Sequence, residues 1–200
     1  MSAEHPPIQK ELGMTTRVTL GIDPELAMKR FDPRRIISEE EQLIYLQGAM
    51  PFLIRKAREA ANRHSVSYRG FRVGCAAYAY RPDAYYIEDR HKIFLGANLK
   101  PNHDKTRWPK VCAEQVAILG ARSAGYTRVI GLVVAGEPQA DEESGIISPT
   151  LHPCGECRRM FTSLGEIVRP DTLIATVRLK EDAVEAFTVA DLLKIHGTER

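Results

Sequence analysis

The sequence predicts an α/β fold in which a sheet of about five strands is layered with helices. Three observations predict it. Apolar runs of strand length alternate along the chain with segments of helical period. One run, RVIGLVVAG at 128–136, is apolar at both parities and so belongs in the middle of a sheet covered on both faces. The 200 residues suffice for one domain with a single core and an additional arm.

The elements follow in order. Residues 1–37 hold Pro6, Pro7, Pro24 and Pro33 with little periodicity, the pattern of an extended N-terminal arm ahead of a domain spanning 38–200. Ser38 with Glu41 makes a capping box, and Leu43, Ile44 and Leu46 begin an apolar helix face. Pro51 is expected to kink or restart that helix, since it lacks an amide proton and crowds the preceding turn. The pattern resumes from Phe52 to Arg63. FRVGCAAYAY (71–80) and KIFLGANL (92–99) are expected as strands, with RPDAYYIEDRH as the hairpin loop or bulged extension between them. CAEQVAILGARSAG is helical, with Gly125 as its stop. After the strand at 128–136, EPQADEESGIISPTLH (137–152) is a polar surface loop. CGECRRMFTSLG forms a short helix opened by Pro153, TLIATVRL (172–179) a strand, and FTVADLLKIHG a closing helix.

Bulk properties narrow the function. Charged residues make up 27% and the net charge is only +2, so nothing announces a polyanion-binding protein. With a single tryptophan, the chain also lacks the several stacking aromatics of a strand-binding groove, and nucleic acid is not expected as a partner. No apolar run is long enough to span a membrane and the first thirty residues lack a signal peptide's layout, so a cytoplasmic protein is expected. Four cysteines, Cys75, Cys112, Cys154 and Cys157, are too few and too unevenly spaced for a disulfide framework, which leaves metal binding or catalysis.

Cys154 and Cys157 form a C-x-x-C pair, and Cys112 supplies a third thiol from the start of another helix. Three sulfur donors suit Zn²⁺ and leave a fourth position open, as a catalytic site requires. Helix N-termini favour the thiolate forms that bind metal. Glu114, two positions after Cys112, is placed to act as acid and base beside the metal without ligating it, its burial raising its pKa toward neutrality. Other readings compete. Cys75 in VGCAA is expected to be a small core hydrophobe. Cys154 and Cys157 alone would also allow a redox pair. A closed structural zinc site, with His152 or His103 as fourth ligand, would make the protein a non-catalytic module.

At these residues the chain resembles the cytidine deaminase family, in which a ligand-x-Glu stretch is followed by Pro-Cys-x-x-Cys. SVSYRGFRVGCAA (65–77), GAN (96–98) and TVADLLKIHG (188–197) are similar to further stretches of that family, in the same order over about residues 52–197. The resemblance implies a three-layer α-β-α sandwich with a mixed five-stranded sheet. It also implies Zn²⁺ held by Cys112, Cys154 and Cys157, and Glu114 as the proton carrier in hydrolysis of a cytosine nucleoside to a uracil nucleoside and ammonia. Phe71 would line the base or sugar pocket, Asn98 would bond the ribose 3′-hydroxyl, and the Ala113 amide would meet the pyrimidine. A homo-oligomer, tetramer or dimer, is implied by the same likeness.

Two departures bear on the substrate. The family's G-x-N-x-E carries a carboxylate where this chain has Lys100, and a cation cannot accept a ribose hydroxyl's hydrogen bond. Lys100, Lys105, Arg107 and Lys110 around Trp108 make a basic loop that leads into Cys112, fit to meet a phosphate or an altered base substituent, as in a blasticidin-type aminoacylnucleoside. Gln115 stands where three-cysteine members usually carry an arginine that offsets thiolate charge, which makes Arg158 or Arg159 the candidate replacement.

Overall fold

The computed structural model describes residues 39–67, 69–84, 89–101 and 110–197. The N-terminal arm, Ser38, His103 and most of the basic loop lie outside the described residues. The elements are α1 (Glu39–His64), β1 (Val66–Ser67), β2 (Val73–Tyr80), β3 (His91–Ala97), β4 (Leu99–Lys100), α2 (Ala113–Ser123), β5 (Arg128–Gly136), α3 (Gly155–Ser163), β6 (Val168–Val177), β7 (Val184–Thr188) and α4 (Val189–Ile195).

Five strands form one sheet in the order β3-β2-β5-β6-β7. Only the β5–β6 pair is parallel, so the sheet is mixed. The run that is apolar on both faces is the central strand. Val129, Leu132 and Val134 point into one core, Ile130, Val133 and Ala135 into the other. Helix α1 covers the second core through Leu46, Leu53 and Ala57. Helices α2, α3 and α4 cover the first through Ala117, Ile118, Phe161 and Leu192. The result is the expected three-layer sandwich, and Cys75 is fully buried in the first core, as a packing residue should be.

Three local expectations need correction. Helix α1 runs through Pro51 as one element. Leu46 before the proline and Leu53 after it are both fully buried in the same cluster, and this packing offsets the roughly 3 kcal/mol cost of an interior proline. The strand expected at 71–80 is β2 and begins at Val73, leaving Phe71 and Arg72 in the preceding segment. The closing segment is not helical throughout: β7 ends at Thr188, whose hydroxyl accepts the Asp191 amide and thereby starts α4.

Two glycines set helix distances. A Cβ at Gly74 would stand 2.0 Å from the Ala57 carbonyl oxygen, so α1 can approach β2 only over glycine. A Cβ at Gly96 would stand 2.0 Å from the Ala113 carbonyl oxygen and 2.8 Å from the Ala117 nitrogen. Gly96 therefore decides how closely the first turn of α2 seats on β3.

Candidate metal centre

Two helix N-termini meet at the edge of the first core. Cys112 is the N-cap of α2 (φ −81, ψ 153) and Cys154 the N-cap of α3 (φ −67, ψ 168). Both have the extended backbone that an N-cap requires. Cys157 follows in the first turn of α3 and is fully buried. The three Sγ atoms lie within 4.8 Å of one another, and those of Cys112 and Cys154 are 3.6 Å apart. Tetrahedral sulfur ligands about 2.3 Å from zinc stand about 3.8 Å from each other, so the donor set fits that ion.

The chemistry of the sulfurs points the same way. Cys154 is held down to about 2, chiefly by hydrogen bonds from the Cys112 and Cys157 thiols and then by the Cys157 and Glu156 amides. Cys112 and Cys157 are raised because each gives its proton to a neighbouring sulfur. Crowded sulfurs that compete for protons are what a divalent cation relieves, by drawing those protons off.

Glu114 is buried in the same turn, only 4% exposed. Burial pushes its carboxyl up to about 7, helped by the Cys154 thiolate and opposed by its own backbone amide, by a hydrogen bond with Cys157 and by the Lys100 charge. Gln115 has a local role that sequence reasoning missed. Its Oε1 accepts the Cys112 amide at 2.9 Å, while the Cys112 sulfur caps the Gln115 amide. The C-x-x-Q spacing is a capping box with sulfur in place of a hydroxyl, and that pattern was available in the sequence.

The arginines are engaged with the loop at 137–152. Arg158 is fully buried and binds Asp141 with both terminal nitrogens, at 2.7 Å and 3.2 Å, and the Pro153 carbonyl at 2.9 Å. Arg159 bridges Glu143 at 2.7 Å and Glu156 at 2.9 Å. Asp141 also accepts the Ser144 amide at 2.8 Å, an Asx-type turn that DEESG signals. The polar loop is thus tied down rather than merely solvated. His152 is used elsewhere too: Nδ1 lies 3.0 Å from His196 Nε2 and 3.3 Å from Ser148 Oγ, and Nε2 lies 3.3 Å from Glu185. Among the described residues the metal-binding group is the three cysteines alone, and His152 is not a fourth ligand.

A cavity of about 510 Å³ opens beside the sulfurs, with Cys112, Cys154, Lys100, Lys110, His152 and Glu143 in its wall. Cys157 and Glu114 are buried outside that lining. The Lys100 ammonium lies 5.8 Å from the centre of the half-buried Phe71 ring. Ala113 is fully buried at the start of α2. Asn98 is buried and clamps three segments: Oδ1 accepts Ser65 Oγ at 2.5 Å and the Val73 amide at 2.8 Å, and Nδ2 donates to the Phe71 carbonyl at 3.0 Å. The structure therefore gathers Cys112, Cys154 and Lys100 around one space, with Phe71 against Lys100, and makes Asn98 a scaffold residue. Among the described residues no helix is long and apolar enough to cross a membrane.

Solved structures are similar to this one in fold. A solved cytidine deaminase from Burkholderia pseudomallei superposes with a TM-score of 0.53 at 24% identity, covering 71% of this chain and 94% of that one. A cytidine deaminase from Mycobacterium tuberculosis gives a TM-score of 0.48 at 24% identity, with 72% and 93% covered. The enzyme from Mycobacterium leprae gives 0.48 at 22%, with 72% and 96% covered. At this identity the first of these likenesses speaks for the fold. The sequence model of the cytidine and deoxycytidylate deaminase zinc-binding region matches residues 50–169, which include all three clustered cysteines. By that match, over more than half its length, the chain belongs to the cytidine and deoxycytidylate deaminase family of zinc proteins.

Proposed function

We propose that the protein hydrolyses the exocyclic amine of a cytosine nucleoside, giving the uracil nucleoside and ammonia. The observation that supports this most is the pairing of a three-sulfur zinc site with an unligated, buried carboxyl in the first turn of the helix that Cys112 caps. Zinc, when held by Cys112, Cys154 and Cys157, supplies the Lewis acidity that makes water nucleophilic near neutrality. Glu114 does the proton work. As the water oxygen bonds to C4, its proton passes to the Glu114 carboxylate, which hands it to N3. Glu114 then carries the second proton to the exocyclic nitrogen, the C4–N bond breaks, and ammonia leaves behind a carbonyl. A carboxyl poised between its two protonation states suits both transfers.

In this reading Phe71 lines the ring pocket and the Ala113 amide, at the unpaired start of α2, meets the pyrimidine. Asn98 spends three of its bonds on the scaffold and keeps one Nδ2 hydrogen for a ribose hydroxyl. A homo-oligomer belongs to the same proposal. It is supported by the apolar surface of Leu95, Leu99, Val116 and Leu119, which are 39–49% exposed. A second reading, deamination of a modified cytosine nucleoside such as a blasticidin-type antibiotic, is favoured by Lys100, a residue of the cavity wall.

The test is ammonia release from zinc-loaded protein offered cytidine, deoxycytidine, their monophosphates and such an analogue, beside the Glu114→Gln variant. The expected result is turnover of at least one compound and loss of about 10²- to 10⁴-fold in the variant at unchanged zinc content. Turnover that survives in the variant removes Glu114 from the chemistry.

A further inference from the structure

Two histidines that the proposed chemistry does not use stand in the cavity wall with Cys154. His196, the C-cap of α4, is buried, and its imidazole has a partner at each nitrogen: Nδ1 lies 2.8 Å from Ser144 Oγ, and Nε2 lies 3.0 Å from His152 Nδ1. Ser144 has one hydroxyl proton and stands 2.8 Å from Oδ1 of the Asp141 carboxylate, which only accepts. That proton therefore goes to Asp141, and His196 Nδ1 donates to the serine oxygen. Nε2 is the edge left for His152.

His152 is gripped from several sides. Its Nδ1 also meets Ser148 Oγ at 3.3 Å, its Nε2 meets Glu185 at 3.3 Å, and its ring stands edge-on to Phe187 with centroids 4.9 Å apart. Glu185 and Phe187 are two apart on β7 and so share one face of the strand. His196 completes the grip from α4, which is seated in the first core through Val189 and Leu192. All four imidazole nitrogens are engaged, as burial of polar groups requires.

His152 leads into Pro153 and then into Cys154, the N-cap of α3. Proline fixes its own φ, and the Pro153 carbonyl accepts Arg158 Nη1 at 2.9 Å, so few free torsions separate the His152 ring from the Cys154 sulfur. A shift of the ring is passed on to the ligand. Zinc–sulfur bonds of about 2.3 Å tolerate displacements of only about 0.2 Å.

We propose that His196 is a positioning residue for the metal centre: by bracing His152 it sets where Cys154 presents its sulfur, so that the last helix of the chain takes part in holding zinc. This role belongs to the metal site alone and is independent of which compound is deaminated.

Two substitutions separate the two edges of the imidazole. His196→Gln carries its amide as far as Nε2 and keeps a partner for His152, whereas His196→Asn reaches only as far as Nδ1 and keeps the partner for Ser144. The full-length variants are compared with wild type by zinc competition against a chromophoric chelator and by the visible spectrum of Co²⁺-loaded protein, which reports how the sulfurs surround the metal. Thermal unfolding of metal-free protein reads the fold separately. His196→Asn should bind zinc about tenfold more weakly and shift the cobalt bands, while His196→Gln should match wild type in both. Ser144→Ala leaves the His196–His152 bond in place and should match wild type as well. Wild-type affinity and spectrum in His196→Asn overturn the role, and so does a loss in His196→Gln or Ser144→Ala as large as that in His196→Asn. Should His196→Asn fail to fold, His152→Phe breaks the same bond from the other side with the bulk of the ring kept: a tenfold loss with shifted bands supports the role, and wild-type values overturn it. If the metal behaves as expected and no compound releases ammonia, it is the deaminase reading that fails.

Discussion

At the scale of the residue, the site shows how few atoms separate a metal ligand from its support. Cys112 has two obligations: its sulfur faces the other thiols, and its backbone must begin a helix. Gln115 meets the second by accepting the Cys112 amide. An arginine at this position would have brought charge to the sulfurs but no acceptor for that amide, which gives the departure a physical reason. Replacing Gln115 by alanine leaves the amide without its acceptor and loosens the ligand's orientation. The expected outcome is a loss of about 1 kcal/mol in stability and a fall in zinc affinity of about tenfold or more, read by competition with a chromophoric chelator. Gln115→Glu keeps the acceptor and should restore the cap, so stability that fails to recover would count against this role. The three cysteines and Glu114 were legible because each residue type carries specific chemistry at a fixed spacing. Asn98 and Gln115 were legible only as members of a pattern, since their work is to bond backbone that sequence does not show to be near.

At the scale of the element, what matters is how α2 reaches the metal. Its first turn lies against β3 over Gly96, with no room for a methyl group. Gly96→Ala should push the start of α2 away, costing about 1–3 kcal/mol through overpacking. Because Cys112 and Glu114 ride on that turn, zinc affinity and turnover should fall together, and thermal unfolding with a zinc titration on the same sample would show it. A variant of wild-type zinc affinity would mean that the helix tolerates the shift and that Gly96 does not set the site. Element reading from sequence succeeded where burial is two-sided or periodic, as at 128–136, whose bounds match β5. It failed where long-range packing decides. Pro51 was expected to kink or restart the helix, and α1 continues through it as one element against the sheet. The strand VEAFT went unrecognised for another reason: it is a short, half-exposed edge strand, paired with the preceding β6, whose few apolar residues make no clear pattern of their own.

At the scale of the whole molecule, the cavity wall is held by contacts between regions that the sequence presents as unrelated. The loop at 137–152 is joined to α3 through Asp141 and Arg158, to α4 through Ser144 and His196 at 2.8 Å, and to β7 through Thr150 and Glu185. None of this was legible, because a polar loop advertises solvent and says nothing of a buried guanidinium waiting for it. Arg158 holds the Asp141 carboxyl well below the usual carboxylate range, chiefly through its hydrogen bond and against the effect of burial. A carboxyl whose folded pKa is depressed adds stability that is present above its unfolded value of about 3.9 and lost as pH falls toward its folded one. Asp141→Asn should therefore cost up to about 3 kcal/mol near neutrality, because it removes the nearer of the two carboxylates that pair with a fully buried guanidinium, leaving Glu143 at 3.3 Å. The gap between wild type and variant should narrow as pH drops below about 4, where the wild-type carboxyl also begins to protonate. Urea unfolding across that range measures it, and a gap that stays constant with pH would show that Asp141 acts through packing and that the loop is fastened by something other than its charge.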